Sequence, residues 1–347
     1  MKLDYKAKFK DSLKHFQTGL AYMLPVLMIG ALGKAIPILF GQGNDPANPI
    51  FKAFLAAGNF GFNMFIPVLA AYISFAIADL PGLAPGLIIG LIAKDGGSGY
   101  LGGLLGGFLA GYMTYTIMGL SDKFPKTLKS TWDNVAPSLG ALIVAVIIFL
   151  FVNPPVKLLM EGITNLLTGM TNAALAALGA VMGGLVGVDF GGPIGQAKFF
   201  FALGALEQKF LVPMAIAGAT ASCPAVGMCL ATYLAPHLYK EKMRDYGRTS
   251  IVYSLIGGWT EIAIPFVVDD WLRVTIASIV GSAVAGAIAG FISLQVLSPG
   301  LGVLYLPLYD KWWGYLLAMG VGSLVVALLA NFLKSSALKT AKKVAKK

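Results

Sequence analysis

Residues 272–297 read LRVTIASIVGSAVAGAIAGFISLQVL, and after Arg273 no charged residue interrupts the run. A helix needs about 20 predominantly apolar residues to cross a bilayer core of about 30 Å. This stretch has that length. Its apolar positions are continuous rather than alternating, which argues against a strand of a membrane β-barrel. The rest of the chain repeats the pattern. Of its 347 residues 57% are apolar and 12% charged, against about 45–50% and about 25% in soluble domains. Mean hydropathy is +0.77. An ordinary soluble enzyme is thereby excluded, and the length has room for about ten spans. The 43 glycines and 18 prolines suit membrane helices, which tolerate both better than soluble ones do. The expected fold class is an all-α polytopic membrane protein. It should have about ten transmembrane helices, with re-entrant hairpin segments, in one transmembrane domain over 1–347.

The net charge is +10. Its distribution points to a membrane orientation rather than to nucleic acid. Lys2, Lys6, Lys8, Lys10 and Lys14 precede the first apolar run, and Lys334, Lys339, Lys342, Lys343, Lys346 and Lys347 follow the last. Lys123, Lys126 and Lys129 share one connection, and Lys240, Lys242, Arg244 and Arg248 another. Basic residues concentrate in cytoplasmic loops. Both termini and both connections are therefore expected in the cytoplasm: 1–17 as an amphipathic tail and 334–347 as a basic one. The loop Gly41–Pro49, with Asn44 and Asp45 but no Lys or Arg, is expected outside. The run Gly19–Phe40 is too long and lacks the small-residue cleavage site of a signal peptide. It reads as a retained first span. Cys223 and Cys229 form no C-x-x-C pair and read as buried packing residues.

Two later segments are too polar or too broken for regular spans. Asp189–Gly195 reads DFGGPIG, and Gly257–Pro265 reads GGWTEIAIP. Irregular backbone at membrane depth survives only where protein buries it or a wet cavity borders it. If Ile251–Val268 dips in and returns on one side, Arg273 becomes cytoplasmic and the crossings come out even. Phe199–Ala235 is also interrupted, by Glu207, Lys209 and Pro213.

Glu261 is the sharpest candidate. A carboxylate at a membrane helix centre costs about 2.5–3.5 kcal/mol on insertion scales. It can accept several hydrogen bonds, which suits sugar hydroxyls. The plainer readings pair it with Arg273 or Lys198. Asp189 either lines the same pocket or caps a helix. Gly191 and Gly192 permit close backbone approach to a ligand. Trp259 is either an interface aromatic or a stacking surface for a sugar face. Asp269, Asp270 and Arg273 read as an ion-pair cluster, a gate or a docking point. The Gly102–Gly107 run reads as helix packing. No phosphate-binding loop, catalytic triad or metal cluster is visible, so no cofactor, metal or catalytic residue is expected.

At these same broken segments the sequence resembles the membrane IIC component of the bacterial phosphoenolpyruvate-dependent sugar phosphotransferase system, fructose-like branch. Tyr22–Gly30 reads YMLPVLMIG, Ile77–Gly86 IADLPGLAPG, Val188–Pro193 VDFGGP, Gly258–Phe266 GWTEIAIPF and Leu272–Gly286 LRVTIASIVGSAVAG. All five lie in the family's order. The resemblance implies a permease that binds a fructose-like sugar or polyol in the membrane. It would present that sugar to a separate phosphorylated IIB protein, itself served by IIA. The implied setting is the bacterial inner membrane, with lipid around the chain, a homodimeric assembly and no nucleic acid. The implied substrate-binding residues are Glu261, Thr260, Trp259, Asp189, Gly191, Gly192 and Gln196. Gly195 and Gln196 stand where the family has Asn-Lys, Trp259 where it has Ile, and Ile262 where it has Gly. Residues 298–302 read SPGLG where the family has P-H-G-G. An ion-coupled secondary sugar transporter, with Glu261 or Asp189 carrying protons at a broken helix, is the rival reading. A sugar sensor is a third.

Overall fold

The computed structural model describes residues 4–42, 46–121, 125–299 and 302–344. Lys2, Asn44, Asp45, Lys123, Lys346 and Lys347, named above, lie outside the described residues. The chain divides into two compact units, Met1–Ile163 and Thr164–Lys347. Eight helical stretches among the described residues are long and apolar enough to cross a membrane. About ten were expected. The difference arises because several apolar pieces are shorter helices or broken ones.

In the first unit, α1 (Tyr5–Lys10) precedes α2 (Ser12–Leu39), α3 (Pro49–Ala78), α4 (Leu80–Asp95) and α5 (Gly99–Leu120). Glycines set the packing of α2 on α3. A Cβ on Gly33 would lie 2.6 Å from the Gly58 Cα, and one on Gly61 would lie 2.6 Å from the Gly30 Cα. Close backbone approach through small residues is how membrane helices associate without a hydrophobic drive between them. The Gly102–Gly107 run does the same work: Gly103 faces Ile66, Gly106 faces Ile89 and Gly107 faces Ala70. The amphipathic tail is helical and docked. Tyr5 Oη donates to Thr116 Oγ1 at 3.0 Å, and the Asp4 amide donates to Tyr115 Oη at 2.9 Å. The start of the chain thus meets the end of α5.

The helix α6 (Lys126–Ile147) departs from expectation. The sequence suggests a span ending at Asn153. Instead a π-helical turn, Ile148–Val152, joins α6 to α7 (Asn153–Thr168). Pro154 and Pro155 cannot donate to the carbonyls one turn earlier. The wider turn absorbs this, with the Asn153 amide reaching back to the Ile148 carbonyl. A prolonged helix results.

In the second unit, α8 (Asn172–Asp189) and α14 (Trp271–Phe291) run antiparallel through a ladder of small residues. Gly179 meets Gly286, Gly183 meets Ser282 and Gly187 meets Ile279, each backbone against backbone. Between them in sequence come α9 (Pro193–Glu207), α10 (Val212–Ala221), α11 (Cys223–Leu234), α12 (Glu241–Gly257) and α13 (Ile264–Asp269). The stretch 212–234 is 94% buried in its most apolar window, against 28% for 131–167. It is therefore a core element of its unit, not a lipid-facing one. Cys223 and Cys229 are buried there as free thiols. The last helix, α15 (Trp312–Val344), continues through the region expected as a basic tail. Lys334 is accordingly no tail residue: it is 8% exposed.

Candidate functional site

Both irregular segments expected from the sequence are breaks between helices. At the first, α8 ends at Asp189, Phe190 adopts φ 51 and Gly191 φ 98. The chain reverses there and enters α9 at Pro193, whose missing amide and fixed φ suit a first helical turn. Asp189 caps this helix: one carboxylate oxygen accepts the Ile194 amide at 2.6 Å, the other the Gly195 amide at 2.8 Å. Its two oxygens are engaged, so Asp189 shapes the turn. Gln196 donates from Nε2 to the Gly191 carbonyl at 3.3 Å. Gly187 packs at Ile279, eight residues into α14. Gly187 is thus about 12 Å inside the end of that helix at 1.5 Å per residue, and the turn, three residues further toward that end, roughly 7 Å inside it.

At the second break, α12 ends with Gly258 at φ 65. Trp259 is extended, and Thr260–Ala263 form one 3₁₀ turn before α13. The two legs form a hairpin whose feet meet: Lys240 Nζ lies 2.7 Å from Asp269 Oδ1. Across the legs, Tyr246 Oη donates to the Ile262 carbonyl at 3.1 Å. Thr260 Oγ1 donates to the Ala221 carbonyl at 3.0 Å, anchoring the tip where α10 meets α11. Gly257 leaves room for the Trp259 indole, since a Cβ there would lie 2.7 Å from the ring. Trp259 is 47% exposed.

The fold brings these breaks together. Phe190 from the first shares a buried cluster with Ala263 and Phe266 from the second. Glu261 lies against Gly191, where a Cβ would fall 2.9 Å from the Glu261 Cδ. Neither plainer partner holds Glu261. Arg273 binds both oxygens of Asp270 at 3.0 Å, and Lys198 donates to Thr220 Oγ1 at 3.1 Å and the Ala217 carbonyl at 3.4 Å. Among the described residues the Glu261 carboxylate has no hydrogen bond or ion pair. Glu261 and Gly191 thus meet at one corner; Gly192, Gln196 and Asp189 belong to the Gly191 turn, and Trp259 and Thr260 precede Glu261 in the chain.

Two contacts were not legible in the sequence: that of Gly302 with the hairpin, and that of Lys334 with the Asp269 and Asp270 cluster. Gly302 adopts φ 81, and a Cβ there would lie 2.7 Å from the Ile256 carbonyl carbon. Gly302, the last residue of SPGLG, therefore abuts the hairpin; residues 300–301 are outside the described set. At the base of the hairpin the expected ion-pair cluster of Asp269, Asp270 and Arg273 forms, and Lys334 joins it. Burial alone would raise the Asp270 carboxyl, but hydrogen bonds from Arg273 and Lys334 outweigh it and hold it below the ordinary value of 3.8.

No family model matches the sequence. Curated relatives do. The chain is 31% identical over 337 residues to "Fructose-like permease IIC component 2" of Escherichia coli, covering 95% of this chain and 92% of that one. The chain belongs to the fructose-like IIC permease family of the phosphotransferase system. It is also 34% identical to "Fructose permease IIC component" of Bacillus amyloliquefaciens, covering 84% of this chain and 97% of that protein. Other members are longer. The chain is 35% identical to the Haemophilus influenzae "PTS system fructose-specific EIIB'BC component", covering 94% of itself but only 59% of that relative. Among solved structures it resembles the transporter ChbC, the IIC component of an N,N'-diacetylchitobiose-specific phosphotransferase system. That likeness has a TM-score of 0.56 and covers 95% of both chains at 13% identity. It shows a shared IIC fold. Membership in an integral membrane family, with eight candidate spans, makes this a multi-pass membrane protein.

Proposed function

We propose that this chain is the membrane sugar permease of a phosphotransferase system. It binds a fructose-like sugar or polyol at the Glu261 corner, carries it across the membrane and presents it to a separate phosphorylated IIB protein. The observation that carries the reading is the unpartnered Glu261 carboxylate at the tip of a packed hairpin, facing Gly191. A carboxylate there can accept hydrogen bonds from two sugar hydroxyls. The glycines let the ring approach the backbone, and the exposed Trp259 offers it a face. Asp189 holds the turn and Gln196 adds an amide.

The chemistry left to this chain is positioning. IIB supplies the phosphoryl group, and orienting the accepting hydroxyl is worth several powers of ten in rate. Relatives that fuse B or A and B parts to a similar segment support IIB and IIA as partners. The basic residues at both ends and near Lys240 support cytoplasmic termini in a bacterial inner membrane. We place both units in one IIC domain, the hairpin as a re-entrant segment, and the chain as a homodimer in lipid.

Reconstitution in vesicles tests the reading. Sugar phosphate forms only when phosphorylated IIB is added. Uphill accumulation of unmodified sugar driven by a proton gradient would overturn the reading in favour of ion-coupled transport.

A further inference from the structure

The hairpin that carries Glu261 is anchored at its base by one buried cation. Lys334 on α15 reaches Asp270 Oδ2 at 3.1 Å and Asp269 Oδ2 at 3.7 Å, both in the foot where α13 ends. It also sits 4.9 Å from the centre of the Tyr239 ring, in the foot before α12. Lys334 therefore touches both feet. One turn earlier on the same helix, Asn331 accepts from Tyr239 Oη at 2.8 Å and donates to the Ala231 carbonyl at 3.0 Å. Residues three apart share one helix face, so Asn331 and Lys334 form a single cradle. Two further contacts close it: Lys240 on Asp269 and Arg273 on Asp270.

The groups differ in burial. The Lys240 side chain is 80% exposed and that of Arg273 38%, whereas that of Lys334 is 9% exposed. Exposed pairs contribute little and are screened by salt. Removing Lys334 would leave Asp269 and Asp270 only the more exposed Lys240 and Arg273, which are not on α15 and do not reach both feet from it. The lever of this cluster is thus Lys334. Its ammonium satisfies two carboxylates that end the return leg, and that leg starts at the Glu261 turn.

We propose that Lys334 is a positioning residue for the sugar site. By tying both feet of the hairpin to α15, it sets the depth at which Glu261 meets Gly191. The inference rests on the reading of Glu261 as the sugar ligand, but its test does not need sugar.

The test uses full-length protein with Glu261→Cys as a reporter, since Cys223 and Cys229 are buried. The rate at which a charged thiosulfonate labels the new thiol reports where the hairpin tip sits. In this background Lys334→Met should change the rate at least tenfold, and Lys334→Arg should restore it to within about twofold. Asp270→Asn, which keeps the shape but lowers the charge, should shift the rate threefold or more in the same direction. It serves as the probe should the Met variant not fold. Labelling of folded Lys334→Met protein at the reporter's own rate would overturn the proposal, as would a lowered melting temperature with an unchanged rate. Failure of the sugar-site reading is seen separately, as unaltered sugar binding by Glu261→Gln.

Discussion

Gly191→Ala separates the geometry of the site from the stability of the fold. Gly191 sits at φ 98, where an L side chain costs about 1–2 kcal/mol. The new Cβ would also lie 2.9 Å from the Glu261 Cδ and 3.2 Å from its Cγ. Carbon atoms in contact prefer about 3.5–4.0 Å, so Glu261 must retreat by roughly 0.5–1 Å. A displacement of about 1 Å at a positioned group costs on the order of 10²-fold in rate. Folded Gly191→Ala protein should therefore form sugar phosphate about a hundredfold more slowly with saturating phosphorylated IIB. Its loss of unfolding free energy should stay within about 1–3 kcal/mol, the range for a strained backbone position. The double variant with Glu261→Gln should lose little more than Glu261→Gln alone, because both changes act through one carboxylate. A Gly191→Ala rate within threefold of wild type, or strictly additive losses, would refute the reasoning.

Other predictions follow from the same geometry. Asp189→Ala removes the cap of α9 and should destabilise the protein by about 0.5–2 kcal/mol, read as thermal unfolding in detergent, with Asp189→Asn losing less. Trp259→Ala should weaken D-fructose binding by about 2- to 13-fold, matching about 0.5–1.5 kcal/mol for an aromatic contact, and Trp259→Phe should retain most of it. Gly183→Val places a side chain against the Ser282 carbonyl and should cost about 1–3 kcal/mol by overpacking, with unfolding midpoints as the measure. Asp270 has a depressed carboxyl pKa. Its stabilisation is present above the unfolded value of 3.8 and lost as pH falls through the lower folded one. Wild-type unfolding should show this loss on the acid side, and Asp270→Asn should show less of it.

The parts of the site legible in the sequence are those where composition conflicts with the membrane. Glu261 stands out because a carboxylate inside an apolar run needs a reason. The two breaks stand out because Gly257, Gly258, Gly191 and Pro193 are poor helix interiors. Pairings were not legible, because they depend on tertiary distance. From sequence Asp189 could cap or bind; the Ile194 and Gly195 amides on its oxygens show the cap, which tertiary structure alone reveals. Lys334 sits next to a basic tail in sequence, yet Asp269 and Asp270 fold back onto it. Pro154 and Pro155 follow directly on the apolar run that ends at Asn153. The structure carries the helix past them through a π turn, because the turn can relocate the hydrogen bonds that proline removes.

The most direct test of the Glu261 site is calorimetric titration of D-fructose into the full-length wild type and Glu261→Gln. A hydrogen bond to a charged group is worth about 1.5–3 kcal/mol, so the variant should bind about 10- to 150-fold more weakly while unfolding at a similar temperature. Equal dissociation constants for the two proteins would contradict the account.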